Sequence, residues 1–414
     1  MLLRLLFVLA FLMPFAGIIA MEQGEFGGSI AEFGYRNYAT EAFALFMIIT
    51  FFAYKLLGSI LPRIYITRES SINDNRFRRG LILSVFVLCI ASFIILIFFG
   101  GINTILGNVD KGVFRTSLGP FGAAAYFILK FLAPGILAVA MVSAKHIKTA
   151  LIDYVLIISL LILSSLVALS FGFKSGIIIL LLPSLVLVMN KLSIKNVLIL
   201  SGLIVSLIFS GYYFFESLDD DSAEFVLSLI IDRLSVLQGA VPWKLWDMLL
   251  NGEAFPSYLN TLPAIFGDKF LSITTGITPE NNAYQWVMMH SALIPTYLSG
   301  YSPDEIVNGH NNTATSFSEG ILFAGYLGIL IFAILGGFVI RISIYWIEKA
   351  ISRCQYVSAS VSACFAINCV WSWVMSGGIN TIFHISVLVN FAVLYVLLKL
   401  VFEYGPNKSV IHRR

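Results

Sequence analysis

Charged residues are scarce in this chain of 414 residues: they make up 12% of it, whereas hydrophobic residues make up 58%. Soluble domains carry roughly twice that share of charge, so a water-soluble fold is excluded. The formal net charge is only +3, and the cations are dispersed along the sequence. This excludes the concentrated basic surface of a nucleic-acid-binding protein, and no nucleic acid is expected as a partner.

Cysteine and the common cofactor motifs are also rare or missing. The four cysteines, Cys89, Cys354, Cys364 and Cys369, all fall in or beside apolar runs, so we expect no disulfide and no metal site. No glycine fingerprint follows a strand, and neither a Walker loop nor a zinc signature occurs, so we expect no cofactor. No internal repeat is evident, which disfavours transporters built from duplicated halves.

Long apolar runs dominate the rest of the sequence. A helix needs about 20 apolar residues to cross a bilayer, because each backbone amide must be satisfied within its own segment. The runs that qualify are 2–20, 38–61, 81–99, 121–143, 152–170, 176–190, 196–215, 319–345, 355–375 and 382–402. The sequence therefore predicts an all-α polytopic integral membrane protein with about ten transmembrane helices. The first run is similar to a signal peptide, but Ile18 is unfavourable at a cleavage site, and we interpret the run as a retained span.

Loops rich in lysine and arginine alternate along the chain with loops that contain few of them. This pattern is expected of a membrane protein, because its cytoplasmic side is enriched in cations. One set of loops contains Arg63, Arg68, Arg76, Arg78, Arg79, Lys145, Lys148, Lys191, Lys195, Lys349, Arg353, Lys408, Arg413 and Arg414, and the other set is sparse. We therefore predict that both termini are cytoplasmic. The predicted organisation is spans one to seven in 1–215, a large external loop in 216–318, and spans eight to ten with a cytoplasmic tail in 319–414.

The predicted external loop is far longer than a connector requires, and loops on a rigid scaffold often carry function, so we expect the functional site there. The loop is rich in large amphipathic rings: Trp243, Trp246, Tyr258, Tyr284, Trp286, Tyr297 and Tyr301. Such rings suit the faces of sugars as well as the bilayer interface. Trp243, Trp286 and Tyr301 are the candidates for sugar binding.

Three cations on the predicted external side are candidates for binding an anion. Arg115 precedes the fourth span, and its planar fork can bind two phosphate oxygens, although an interfacial arginine that reaches lipid phosphates is the alternative. Lys174 lies in a tight turn where it either binds an anion or stops translocation between two hydrophobic runs. Arg233 interrupts an apolar helical stripe, so it either reaches the interface or points into a cavity that holds an anion.

Two residues near the eighth span are candidates for a general base. His310 lies in Asn308-Gly-His-Asn-Asn-Thr313, and histidine has an ordinary pKa near neutrality; His290 is a rival in the same predicted loop. Glu319 is placed to orient or deprotonate a sugar hydroxyl. However, Ser316-Phe-Ser-Glu319 also matches a capping box that opens a helix, and the two roles are compatible.

On these features the chain resembles the Wzy-type oligosaccharide repeat-unit polymerases of O-antigen and capsule assembly. The resemblance rests on the many-span layout with a large late external loop. It rests also on Ser170-Phe-Gly-Phe-Lys-Ser-Gly176, which opens a span, and on Glu319-Gly-Ile-Leu-Phe-Ala-Gly-Tyr-Leu-Gly328. The similarity of architecture extends over most of the chain, whereas the similarity of motifs is limited to short stretches.

The resemblance implies a GT-C-like membrane glycosyltransferase of the bacterial inner membrane that needs neither metal nor nucleotide. Its substrate would be an undecaprenyl-pyrophosphate-linked oligosaccharide, and a chain-length regulator is a further candidate partner. Arg115, Lys174 and Arg233 would bind the pyrophosphate, and His310 or Glu319 would activate the acceptor hydroxyl. Three alternatives stay open. An O-antigen ligase uses the same donor, and a flippase or other transporter would be expected to carry charges near the middle of its spans. A membrane acyltransferase is disfavoured, because no convincing His-Asp pair lies in a span.

Overall fold

The structure is a computed structural model that describes residues 2–24, 33–65, 72, 74–109, 111–147, 149–171, 176–189, 202, 237–252, 265–276 and 315–403. None of these residues forms a β-strand. Eight helices in this part of the chain are long and apolar enough to cross a membrane. The expectation of an all-α polytopic membrane protein is therefore confirmed.

The helices follow one another in the order α1 (Leu2–Gln23), α2 (Ala39–Ile60), α3 (Asp74–Phe93), α4 (Gly101–Ile105), α5 (Lys111–Ser117), α6 (Phe121–Phe127), α7 (Ala133–Ala144), α8 (Leu151–Ser170), α9 (Gly176–Val188), α10 (Leu237–Leu250), α11 (Asp268–Thr275), α12 (Ser316–Ser352), α13 (Tyr356–Phe365), α14 (Ser372–Ser376), α15 (Asn380–Phe383) and α16 (Ile385–Phe402). π-Helical turns at Ile94–Phe98, Ile128–Leu132 and Ala366–Trp371 extend α3, join α6 to α7 and join α13 to α14. The candidate spans are α1, α2, α3 with its turn, α6 with α7, α8, α12, α13 with α14, and α16.

Eight of the predicted spans coincide with these eight candidate spans. The predicted sixth span, 176–190, is α9, which has only 13 residues. At 1.5 Å per residue such a helix reaches about 20 Å, which is short of the hydrocarbon thickness. The predicted seventh span, 196–215, lies outside the described residues except for Gly202.

The chain divides into two compact units. The first unit contains Met1–Arg63, Lys191–Tyr345 and Phe365–Val389. The second unit contains Ile64–Asn190, Trp346–Cys364 and Asn390–Arg414.

Helices of the first unit cross at glycines. A Cβ on Gly239 of α10 would lie only 2.5 Å from the Cα of Gly17 in α1, and a Cβ on Gly337 of α12 would lie 2.7 Å from the Cβ of Ala53 in α2. Lipid tails are as apolar as side chains, so close packing at small residues is a main source of helix association in membranes. Because α10 belongs to the predicted external loop, part of that loop is a helix packed inside the first unit.

α12 is broken near its start. Ala324 has φ −158° and ψ 32°, and Gly325 has φ 56° and ψ −132°, values outside the helical range. A Cβ on Gly320 would lie 2.9 Å from the carbonyl oxygen of Gly328, although residues eight apart in a straight helix are about 12 Å apart. The segment before the break therefore folds back against the segment after it. The predicted eighth span, 319–345, is present but contains this turn.

An ion pair joins α3 to α8 in the second unit. Nε of Arg78 donates to Oδ1 of Asp153 at 2.9 Å, and Nη2 donates to Oδ2 at 3.3 Å. Asp153 is 1% exposed, and its Oδ2 also accepts the N–H of Ala150 at 2.8 Å. The pair places the N-terminal ends of α3 and α8 on the same side of the unit, as the predicted alternation of spans requires.

Candidate functional site

Glu319 lies in the first turn of α12 and is completely buried in the first unit, with 0% exposure. Its Oε2 accepts hydrogen bonds from Nε1 of Trp373 at 2.7 Å and from the N–H of Gly378 at 3.1 Å. Its Oε1 accepts the N–H of Ile379 at 2.8 Å. Burying a carboxylate is costly unless donors of this kind replace water. These donors therefore fix the carboxylate in one position.

The two backbone donors belong to a glycine turn between α14 and α15. Gly377 has φ 73° and Gly378 has φ 83°, in the left-handed region that glycine adopts without steric cost. This conformation lets successive amides point at one place, and adjacent N–H groups that converge in this way form an anion-binding nest. The anion held here is the side chain of Glu319.

The predicted capping box of Ser316 and Glu319 is not formed, because the helix is capped one residue earlier. Oγ1 of Thr315 accepts the N–H of Ser318 at 3.3 Å. The side chain of Glu319 instead reaches the glycine turn. A carboxylate in the first helical turn is common to both arrangements, so the sequence pattern does not distinguish them.

His384 follows the glycine turn and was not a sequence-based candidate, because it falls inside the last apolar run. The N–H of Ser386 donates to Nδ1 of His384 at 3.1 Å. A donor at Nδ1 requires that nitrogen to be unprotonated, so the proton of the neutral ring lies on Nε2. Nε2 lies 2.9 Å from the position that a Cβ would occupy if Gly267 had a side chain. The ring therefore packs against a described piece of the predicted external loop.

A second buried carboxylate, Asp247 of α10, was also missed by sequence reasoning. It is 4% exposed. Its Oδ2 accepts the hydroxyl of Tyr35 at 2.8 Å and lies 3.6 Å from Nζ of Lys244, and its Oδ1 accepts Nδ2 of Asn37 at 3.4 Å. The spacing of three between Lys244 and Asp247, which puts them on one helical face, is the signal that could have found this group.

Aromatic rings join α10 to the first turn of α12. The ring centroid of Phe317 lies 6.2 Å from that of Trp246, 5.2 Å from that of Phe43 and 5.4 Å from that of Phe46. Nε1 of Trp246 donates to the carbonyl oxygen of Asn37 at 2.9 Å. Both buried carboxylates therefore lie on helices of one packed aromatic cluster in the first unit.

Trp243, a predicted sugar-binding residue, is completely buried in the first unit. Its ring packs edge-on against Tyr35, with the centroids 5.1 Å apart. Its Nε1 has no hydrogen-bond partner among the residues that the structure describes. A ring with no exposed face offers no surface for a sugar, so its position indicates a packing role. Trp286 and Tyr301 lie outside the described residues.

Arg115 lies in α5 of the second unit and is exposed. Its Nε and Nη2 donate to the carbonyl oxygen of Phe171 at 3.1 Å and 2.6 Å. Phe171 directly follows α8, and Lys174 comes three residues later. Arg115 thus contacts the last described residue before the segment that contains Lys174, and that segment lies outside the described residues. An open cavity of about 350 Å³ adjoins this contact, and its lining includes Arg115, Tyr126 and Phe171.

Lys174, Arg233 and His310 lie outside the described residues. Within the described ranges, no group of three or more histidine, cysteine, aspartate or glutamate side chains is arranged to hold a metal ion.

Comparison of the chain with family models, with curated proteins and with solved structures finds no match. The class defined by the fold is an all-helical, multi-pass membrane protein.

Proposed function

We propose that the chain is a metal- and nucleotide-independent membrane glycosyltransferase of the oligosaccharide repeat-unit polymerase type. It transfers a growing glycan from undecaprenyl pyrophosphate to a new lipid-linked repeat unit at the outer face of the bacterial inner membrane. The bond between the anomeric carbon and the pyrophosphate oxygen breaks, and a bond from that carbon to the acceptor oxygen forms. A base takes the acceptor proton, and undecaprenyl pyrophosphate leaves.

The contact between Arg115 and the carbonyl of Phe171 carries this proposal. A pyrophosphate gains negative charge as it leaves, and fixed cations that face this charge stabilise the transition state. The contact holds Arg115 at Phe171, which lies three positions before Lys174 in the sequence, and this supports the proposal that the two cations act together. A guanidinium has five N–H donors, so binding one carbonyl is compatible with binding a phosphate. Arg233 is the third proposed cation.

The burial of Glu319 supports different roles for Glu319 and His310 in activating the acceptor hydroxyl. Both oxygens of Glu319 already accept hydrogen bonds, and the side chain is fully buried. This arrangement favours His310 as the general base and gives Glu319 a positioning role, since it holds the glycine turn that leads to His384. Trp286 and Tyr301 remain the proposed residues for stacking on sugar rings.

The proposal is tested by complementing a strain that lacks this chain and displaying its surface and lipid-linked glycans on a gel. We expect single repeat units in the deletion strain and a ladder when the wild-type chain is restored. Arg115→Ala and Lys174→Ala should abolish the ladder at normal membrane levels. Arg36→Gln is the matched control, because Arg36 lies on the same predicted side, is 67% exposed and pairs with the exposed Glu41.

Three results would contradict the proposal. A ladder that is unchanged in both alanine variants would show that Arg115 and Lys174 do not bind the pyrophosphate. Long polymer that accumulates on the carrier lipid in the deletion strain indicates a ligase. Single repeat units that accumulate on the cytoplasmic side indicate a flippase.

A further inference from the structure

A groove with a volume of about 400 Å³ lies between α1, α2 and α12 of the first unit. Most of its lining is apolar and includes Phe7 and Phe11 of α1, Met47 and Phe51 of α2, and Ile344 of α12. The proposed glycosyltransferase site does not use any of these residues.

The groove is bordered by apolar side chains that are open to the surroundings of the helices. Val8 is 52% exposed, Leu12 is 47% exposed and Phe51 is 56% exposed. α1 and α2 are both candidate membrane spans. Exposed apolar side chains at the middle of a span face hydrocarbon, so the natural occupant of such a groove is a lipid chain.

One end of the groove is basic. Arg4, in the first turn of α1, and Lys55, near the end of α2, are both part of its lining. Consecutive spans run in opposite directions, so the start of α1 and the end of α2 lie at the same level. Nζ of Lys55 lies 5.3 Å from the ring centroid of Phe51, and Lys55 has no hydrogen bond or ion pair within the described ranges.

The same end carries a tyrosine hydroxyl held by a third cation. Tyr54 lines the groove, and Nη1 of Arg341 lies 3.5 Å from its hydroxyl oxygen. The guanidinium carbon of Arg341 lies 5.4 Å from the centre of the tyrosine ring. The groove therefore changes from aromatic and aliphatic surface over most of its lining to cations and a hydroxyl at one end.

We propose that this groove binds an anionic phospholipid, with one acyl chain along Phe7, Phe11 and Phe51 and the phosphate beside Lys55 and Arg4. The polarity gradient of the groove matches that of the lipid, and basic pockets between membrane helices are suited to anionic headgroups. A zwitterionic headgroup brings an ammonium that the two cations repel, so the groove selects net negative charge. The proposal is independent of the glycosyltransferase activity.

Native mass spectrometry of the purified full chain tests the proposal, with dioleoyl phosphatidylglycerol and dioleoyl phosphatidylcholine as probes. We expect phosphatidylglycerol to bind about tenfold more tightly, and the double change Arg4→Gln with Lys55→Gln to remove this preference. The matched control is Lys399→Gln, because Nζ of Lys399 also lies over a ring, 4.7 Å from the centroid of Tyr395, but outside the groove. This control should bind like the wild-type chain.

A second pair of variants separates lipid binding from a general loss of folding. Met47→Trp should fill the groove and weaken binding of both lipids, whereas Lys55→Arg should retain the preference for phosphatidylglycerol. Equal binding of the two lipids, or a preference that survives the double change, would overturn the proposal. Tighter binding of undecaprenyl phosphate than of phosphatidylglycerol would also overturn it, because the occupant would then be the carrier lipid.

Discussion

The indole N–H of Trp373 donates a 2.7 Å hydrogen bond to the carboxylate of Glu319, which lies 54 positions earlier in the chain. Both side chains are completely buried. A hydrogen bond to a charged acceptor in such surroundings is stronger than one between neutral groups. The bond therefore ties the first turn of α12 to α14, directly before the glycine turn.

Replacing Trp373 with phenylalanine tests this bond, because the variant keeps an aromatic ring and removes the donor. We expect Trp373→Phe to lower the free energy of unfolding by about 2 kcal/mol or more. Trp371→Phe is the matched control, since Nε1 of Trp371 donates to the neutral carbonyl oxygen of Leu6 at 3.1 Å, and its loss should cost about 1 kcal/mol. The measurement is denaturant unfolding in detergent micelles.

A double-mutant cycle separates the bond from the packing of the ring. Combining Trp373→Phe with Glu319→Gln should give a coupling energy of about 1–2 kcal/mol. Additive effects of the two changes would show that the hydrogen bond contributes little.

Neighbouring glycines in α12 should respond oppositely to alanine. A Cβ on Gly337 would lie 2.7 Å from the backbone nitrogen of Tyr54, so Gly337→Ala must push α2 away and should destabilise the protein by about 2 kcal/mol or more. A Cβ on Gly336 would meet its nearest atom, Cγ2 of Thr50, only at 3.8 Å. Gly336→Ala should therefore be neutral or stabilise by about 0.5 kcal/mol through helix propensity. Equal effects in thermal unfolding would contradict the close crossing.

Hydropathy predicts the positions of spans well, because it reports how much apolar surface a helix offers to lipid. The predicted fourth span, 121–143, and fifth span, 152–170, agree with Phe121–Ala144 and Leu151–Ser170. It is insensitive to backbone direction, so it did not show the break at Ala324 and Gly325 inside an uninterrupted apolar run. Hydropathy also did not show how α10 packs, because a helix of 14 residues is too short to be recognised as a span and is stabilised here by contacts with α1, which is distant in the sequence.

Residue chemistry singled out Arg115 and Glu319, but their partners could not be predicted from sequence. Arg115 binds the main-chain oxygen of Phe171. Every residue has a main-chain carbonyl, so residue identity does not show which one an arginine will bind. Glu319 binds two amides whose convergence depends on the left-handed conformation of Gly377 and Gly378. Asp247 was missed because its contact with Tyr35 joins two segments that are distant in the chain.

The ion pair of Arg78 and Asp153 should matter far more than the pair of Arg36 and Glu41. The side chain of Asp153 is 2% exposed, whereas those of Arg36 and Glu41 are 67% and 48% exposed. Asp153→Asn should lower the free energy of unfolding by about 2 kcal/mol, because it weakens a charge-assisted contact in a buried place. Glu41→Gln should have no measurable effect, since solvent screens an exposed pair. Similar losses in the two variants would contradict the burial of Asp153.

The proposed roles of His310 and Glu319 predict different kinetic signatures. His310→Ala should lower the rate of glycan transfer by about 100-fold and remove the acidic limb of the pH–rate profile, as expected for loss of a general base. Glu319→Gln should lower the rate without changing the shape of that profile, as expected for a positioning residue. A profile that changes shape in Glu319→Gln and is retained in His310→Ala would reverse the two assignments.

The most direct test of the proposed activity is a transfer reaction with the purified chain in liposomes and synthetic undecaprenyl-pyrophosphate-linked repeat units as the sole substrate. We predict that glycans longer than one unit form and that undecaprenyl pyrophosphate is released in step, with chelator present and no nucleotide sugar added. Arg115→Ala should suppress both products, and Arg36→Gln should suppress neither. If the wild-type chain releases no undecaprenyl pyrophosphate, or elongates glycans only when a nucleotide sugar is supplied, it is not the proposed polymerase.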